Sequence, residues 1–273
     1  MLRSTNLTKP RVHNSGFTLV ELVIVMVLLG ILSIGTIRFI NDATEGFVLT
    51  QQRAEVAADV RLTVHRLGRE LRNALPRSTR ISTDRKCLEF IPISHGTTYV
   101  TAPIGVAGSS LEVVPFDTNG ITNQHRLAIA PMANIYSLSN PGSISPSFAT
   151  TAPNVNNVVN LTLSATHQFP NNSPQRRLYV VQPPVSYCVV NNALWRYVNY
   201  GFATTQRTPS STPSLPNSLP NRALVAEGMD AISEFELAPA SLTRNGVVNM
   251  DFVFVRDNNN ISINYSAQLR NSI

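Results

Sequence analysis

The chain has 273 residues, of which 43% are apolar and 14% are charged. This apolar fraction can form a folded core and excludes a fully disordered chain, whereas the charge content lies well below the quarter usual in soluble domains. The formal net charge is +6, and Arg3, Lys9 and Arg11 supply three of these charges within the first sixteen residues. The remaining +3 is too small to predict a nucleic-acid-binding surface, which requires clustered basic residues.

The first predicted element is a membrane-spanning helix from Phe17 to Ile37. Its sequence, FTLVELVIVMVLLGILSIGTI, contains one charged side chain, Glu21. As a helix, a segment of this length spans about 31 Å, close to the hydrocarbon thickness of a bilayer. The basic residues before it predict a cytoplasmic N-terminus and an exported remainder.

The residues around this segment distinguish it from an ordinary signal peptide. A signal peptide has a shorter apolar region, followed by a cleavage site of small residues. Here the small residue, Gly16, precedes the apolar run, and the chain continues after the run as RFINDATEGF. We therefore interpret residues 1–16 as a short leader and residues 17–37 as a retained helix.

Glu21 is the one side chain that does not suit an apolar helix. A carboxylate in a membrane costs a few kcal/mol and usually has a partner. Cleavage between Gly16 and Phe17 would give Phe17 a free α-amino group, four residues before Glu21 and one helical turn away. The carboxylate could pair with this amine or with the amine of a neighbouring subunit. The second pairing would align helices in an apolar filament core.

The hexapeptide GFTLVE at 16–21 resembles the prepilin motif of type IV pilins and type II secretion pseudopilins. The resemblance implies that a prepilin peptidase cleaves after Gly16 and that Phe17 becomes N-methylated. It also implies an assembly role for Glu21. The implied fold is α+β and pilin-like: a long N-terminal helix, transmembrane in its first half, packs on a β-rich globular head.

The same resemblance implies a structural subunit with no catalytic residue, no metal and no cofactor. The implied partners are the prepilin peptidase, other major and minor pilins and the inner-membrane assembly platform. The implied precursor crosses the inner membrane once, with a cytoplasmic N-terminus and a periplasmic head. After processing it would move to the pilus and the cell surface.

Residues 38–76 predict an amphipathic continuation of the same helix, so that one helix would extend from Phe17 to Leu75. Gly30, Gly35, Asn41 and Gly46 are positions where it could bend or melt, and Pro76 ends it. Apolar residues recur at spacings of three and four, on one helix face: Ala57, Val60, Val64, Leu67, Leu71 and Ala74. We expect this face to pack against the head, and a coiled-coil contact with another protein is the alternative.

Residues 77–273 predict a β-rich head, because short apolar runs alternate with Pro, Gly and Asn turns. A hairpin is predicted at 185–199, with Asn191-Asn192 as its turn, and a closing hairpin at 251–269. The Ser/Thr/Pro-rich loop at 203–222 is either a tether or an exposed contact loop. Other predicted strands lie at 87–93, 110–116, 125–132, 156–164 and 177–182.

The two cysteines, Cys87 and Cys188, predict a disulfide if the chain is exported. Two separate buried thiols are the alternative. No C-x-x-C occurs, the five histidines form no H-E-x-x-H or H-x-H pattern, and no nucleophile elbow or phosphate-binding loop is present. The sequence therefore predicts neither a metal site nor a catalytic site.

Two further segments resemble the larger minor pilins and the J-type pseudopilins: residues 62–74 and residues 224–237 with the strands that follow. The order of elements, including CLEFIPI at 87–93, is most similar to the O-type minor pilins of the mannose-sensitive haemagglutinin (MSHA) pilus. This resemblance implies a minor pilin that acts in pilus assembly. A J-type pseudopilin of a type II secretion system is the first alternative. A membrane-anchored periplasmic enzyme or sugar-binding module with an uncleaved anchor is the second.

Overall fold

The computed structural model describes residues 16–132, 134–151, 157–240, 244–256 and 259–270. These residues form one long N-terminal helix and three antiparallel sheets, which confirms the predicted pilin-like α+β class. The predicted leader residues 1–15 lie outside the described part of the chain. Two compact units are distinguished, Met1–Ala54 and Glu55–Ile273, and the second is called the head unit below.

Helix α1 extends over Leu19–Arg72. In the first unit its residues are exposed on all sides, and they remain helical at Gly30, Gly35 and Gly46. The hydroxyls of the helix donate to its own backbone; for example, Ser33 Oγ donates to Leu29 O at 2.6 Å and Thr36 Oγ1 to Leu32 O at 2.8 Å. These hydroxyls therefore need no external partner in an apolar surrounding.

Residues 55–72 of α1 belong to the head unit, and their apolar face is buried in it. Val60, Val64, Leu67 and Leu71 are each at most 3% exposed and pack in one core with strands of two sheets. Ala57, the first residue of the predicted stripe, is only partly buried. The chain's own head thus covers this face, as predicted, and no coiled-coil partner is required.

The helix ends at Arg72 rather than at the predicted Leu75. Leu75 N donates to Ile91 O at 2.7 Å, and Ile93 N donates to Asn73 O at 2.8 Å. Pairing with residues 91–93 therefore draws the chain out of the helix before Pro76 is reached.

The strands, in chain order, are β1 (Arg80–Ile81), β2 (Cys87–Phe90), β3 (Ile93–Thr101), β4 (Gly108–Val113), β5 (Arg126–Ala128), β6 (Phe148–Thr150), β7 (Val159–His167), β8 (Arg177–Val181), β9 (Val185–Val190), β10 (Ala193–Tyr197), β11 (Arg222–Glu227), β12 (Glu234–Ala238), β13 (Val247–Arg256) and β14 (Asn259–Gln268). They form a five-stranded sheet β1-β2-β9-β10-β11, a six-stranded sheet β5-β8-β3-β4-β7-β6 and a three-stranded sheet β12-β13-β14.

Both predicted hairpins are present. Strands β9 and β10 are joined by Asn191 and Asn192, whose φ angles of 49° and 59° suit the left-handed turn that a two-residue hairpin requires. Strands β13 and β14 pair over ten residues each. Residues 257–258, which connect them, lie outside the described residues.

Two main cores stabilise the head unit. The first lies between α1, the five-stranded sheet and the three-stranded sheet, and the second is formed by residues of the six-stranded sheet and its loops. In the first core, Gly68 of α1 lies close to the Tyr265 ring of β14. A Cβ atom added at Gly68 would lie only 2.9 Å from Tyr265 Cε1 and Oη. The absence of a side chain at Gly68 therefore sets how closely β14 approaches the helix.

Cys87 of β2 and Cys188 of β9 are directly opposite in the register of these strands, and a disulfide joins them. The loop 203–222 packs beside it. Leu215 is buried in one cluster with both cysteines, and Gln206 Nε2 donates to Cys87 O at 3.2 Å. The loop is thus attached to the sheet along part of its length.

Candidate processing and assembly site

The predicted cleavage site lies just before the helix. Gly16, Phe17 and Thr18 are exposed and non-helical, and α1 begins at Leu19. The Phe17 side chain is 78% exposed. The peptide bond between Gly16 and Phe17 is therefore free of regular secondary structure and accessible to a protease.

Thr18 caps the helix. Its Oγ1 accepts a hydrogen bond from Glu21 N at 3.2 Å, and its carbonyl oxygen accepts the first helical bond from Leu22 N, also at 3.2 Å. Thr18 and Glu21 have the T-x-x-E spacing of a capping box. Our sequence interpretation assigned no role to Thr18, although this spacing was visible. The cap fixes the start of the helix two residues after the predicted scissile bond.

Glu21 is placed in the first turn of α1. The unpaired N–H groups there create a positive potential that favours a carboxylate. The helix therefore offsets part of the free-energy cost of placing the Glu21 charge in an apolar surrounding. Among the described residues, no cationic side chain forms an ion pair with Glu21. Its carboxylate is exposed and open to a partner.

The segment that follows is apolar around its whole circumference. Leu19 and Met26 lie on one face of the helix and Leu32 and Phe39 on a roughly opposite face, and all four are 64–80% exposed. In the described part of the chain, α1 is the one helix long and apolar enough to cross a membrane. Such a surface is stable in a bilayer or among other apolar helices, and it is consistent with a single-pass membrane anchor.

The buried histidines of the head unit are held by backbone groups. His167 Nε2 lies 2.8 Å from Gly142 O, and His125 Nδ1 accepts a hydrogen bond from Thr122 N at 3.0 Å. Burial lowers the pKa of both imidazoles. No group of three or more His, Cys, Asp or Glu side chains suited to a metal occurs within the ranges that the structure describes.

A buried ion pair connects the loop 203–222 to the five-stranded sheet. Glu89 accepts from Arg80 Nε at 2.5 Å and from the Tyr200 hydroxyl at 3.0 Å. The Arg80 guanidinium also donates to the carbonyls of Ala203 at 2.8 Å and Thr204 at 2.6 Å. Burial raises the pKa of Glu89, while the hydrogen bond and charge of Arg80 oppose that rise. Because its partners all belong to the fold, we interpret the pair as structural.

Residues 11–37 match the family model described as the prokaryotic N-terminal methylation motif. The match includes Gly16, Phe17 and Glu21 and extends to the end of the predicted membrane segment. It characterises the N-terminus as that of a type IV pilin-like or pseudopilin-like prepilin, the class that prepilin peptidase processes. Comparison with curated proteins and with solved structures finds no match.

Proposed function

We propose that this chain is a minor type IV pilin, a structural subunit that acts in pilus assembly. The observation that carries the proposal is the methylation motif at 11–37, whose residues from Leu19 onward begin a helix with an exposed apolar surface. Neighbouring apolar helices provide such a surface with a stable environment once it has left the membrane.

In this proposal a prepilin peptidase cleaves between Gly16 and Phe17 and the new terminus is N-methylated. Cleavage places a positive amine beside a helix N-terminus that is itself positive, which is unfavourable without a nearby anion. Glu21 supplies that anion. When an incoming subunit aligns its Glu21 with the Phe17 amine of a neighbour, both charges are neutralised inside the apolar core.

The size of the head unit supports a minor rather than a major subunit. It comprises Glu55–Ile273, and a bulky head packs poorly at high copy number. The order of elements in the head unit resembles that of O-type minor pilins and favours a subunit of an MSHA-type pilus. Its partners would be the prepilin peptidase, other pilins and the inner-membrane assembly platform. A J-type pseudopilin of a type II secretion system uses the same N-terminal chemistry and is the alternative assignment.

The subunit would act by assembly and not by catalysis. The competing class, a membrane-anchored periplasmic enzyme or sugar-binding module, would keep an intact bond between Gly16 and Phe17. It would also act without a prepilin peptidase.

Fractionation of cells with and without the peptidase tests the proposal. With the peptidase, the chain should occur in sheared filaments as a low-copy component; without it, the chain should remain in the inner membrane. A chain that never enters filaments would contradict the proposal. Filaments composed mainly of this chain would contradict the minor role.

A further inference from the structure

A polar cleft of about 760 Å³ lies on the head unit, and we call it the Arg177–Arg270 cleft. One wall is formed by neighbouring strands β3 and β8. The other includes Asn245, which precedes β13, and Arg270, which follows β14. Residues distant in the sequence therefore meet at this place.

The register of β3 and β8 determines which side chains face the cleft. Gly96 is opposite Tyr179, and Thr98 is opposite Arg177. Paired residues and residues two apart share a face of a sheet, so these four lie on one face. On β8 the intervening Leu178 is fully buried, whereas Arg177 and Tyr179 are half-buried. This face is partly exposed at Arg177 and Tyr179 and becomes buried at Val181, where the Tyr179 side chain also packs against a buried cluster.

Gly96 leaves space above the aromatic ring. A Cβ atom built there would lie 3.8 Å from Tyr179 Cδ1, which is ordinary contact, and no left-handed φ is recorded for Gly96. A larger side chain at this position would therefore fit the strand and cover part of Tyr179. With glycine, this part of the ring is not covered by a side chain at position 96.

The cleft is positively charged. None of the residues that line it is acidic, and within the described ranges neither Arg177 nor Arg270 forms an ion pair. The other polar groups are the Thr98 and Tyr179 hydroxyls and the Asn245 amide, which can all donate hydrogen bonds. Two unpaired guanidiniums with neutral donors form a set that suits carboxylate or sulfate oxygens.

We propose that the Arg177–Arg270 cleft binds a saccharide that carries carboxylate or sulfate groups. The sugar ring lies against Tyr179 in the space left by Gly96, and its acidic groups bind Arg177 and Arg270. This binding activity is separate from the proposed assembly role, since it uses no residue of the N-terminal motif.

A short acidic saccharide fits this site better than a nucleic acid does. Nucleic-acid binding requires a basic stripe that follows many phosphates. Here two guanidiniums line one open, shallow cleft, and among the described residues no other basic one lines it.

The test is titration of the full chain, purified in detergent, with three tetrasaccharides at about 0.15 M salt, where weak surface attraction is screened. The probes are a heparin-derived tetrasaccharide, tetragalacturonate and neutral maltotetraose. At least one acidic probe should bind saturably and at least about tenfold more tightly than maltotetraose, as expected from a charge-assisted hydrogen bond. Comparison of the two acidic probes shows whether sulfate or carboxylate is preferred.

Substitutions in both walls of the cleft test whether these residues bind the saccharide. Arg177→Gln and Arg270→Gln should each weaken binding about tenfold or more, and Gly96→Leu should weaken it without any change in charge. Arg176→Gln is the matched control, because Arg176 is exposed and does not line the cleft. Unchanged thermal unfolding would show that the variants are folded.

Three outcomes would overturn the proposal. The first is absence of saturable binding to either acidic probe. The second is an equal loss of affinity in the Arg176→Gln control, which would indicate attraction to net charge alone. The third is tighter binding of an oligothymidine strand than of either saccharide, which would assign the cleft to nucleic acid.

Discussion

Removal of the link between Cys87 and Cys188 should destabilise the head unit by several kcal/mol. The bonded residues are 101 positions apart. In the chain-entropy treatment, a closed loop of this size stabilises the folded state by about 4.7 kcal/mol, and removal of natural disulfides commonly costs about 2–5 kcal/mol. We expect a loss at the middle of that range, because the flanking pairs of β2 and β9, such as Leu88 with Tyr187, remain in register.

The response to reductant gives this prediction its specificity. If the cysteines are bonded, Cys87→Ala and Cys188→Ala each break the same link, so the double variant should be little worse than either one. Two reduced thiols at these cross-strand partners would also contact each other, so non-additivity alone does not identify the disulfide. Reductant should lower the stability of the native chain and leave the variants unchanged.

The chain contains one tryptophan, Trp195, which is paired with Cys188 across β9 and β10. Its fluorescence during urea unfolding in detergent therefore reports on the region around the disulfide. Additive losses in the two single variants, together with insensitivity of the native chain to reductant, would refute the reasoning.

Three further predictions concern the helix and the buried pair. Gly68→Ala should not stabilise the chain in urea unfolding, because displacement of the Tyr265 ring, at about 1–3 kcal/mol, offsets the roughly 1 kcal/mol that alanine gains over glycine in a helix; a raised midpoint would contradict the close packing of β14. Burial raises the pKa of Glu89 above its ordinary value of 4.5. The contribution of this group to the free energy of unfolding is therefore fully present below pH 4.5 and is lost as the pH rises through the folded-state pKa. Glu89→Gln should remove that part of the pH dependence, and parallel pH profiles for native and variant chains would argue against it. Glu21→Val should leave membrane insertion intact but reduce filament incorporation several-fold. The control Glu45→Gln, also on α1 but outside the membrane segment, should incorporate normally. Equal incorporation of the two variants into filaments would contradict an assembly role for Glu21.

Local signals in the sequence were sufficient to predict the elements whose causes are local. The apolar run after Phe17 and the three-and-four spacing from Val60 to Leu71 define the helix and its buried face. Asn191-Asn192 defines a hairpin, because both residues tolerate the left-handed backbone of the turn. These features depend on neighbours in sequence, so a single chain reveals them.

Features that depend on distant residues could not be predicted in this way. The helix ends at Arg72 because the chain after it pairs with residues 91–93. The short strands β1 and β6 exist only because longer strands beside them supply partners, and the strand predicted at 125–132 is confined to Arg126–Ala128, the residues that pair with β8. The Arg177–Arg270 cleft likewise required the fold, since its walls come from separate sheets. Thr18 was the exception, because its capping role was visible locally and was overlooked.

The N-terminus of the native polypeptide, determined by mass spectrometry of protein isolated from cells that contain a prepilin peptidase, tests the central claim most directly. The account predicts that the chain begins at Phe17 and that its amine carries a methyl group. A chain that retains the bond between Gly16 and Phe17, or that begins at another residue, would contradict it.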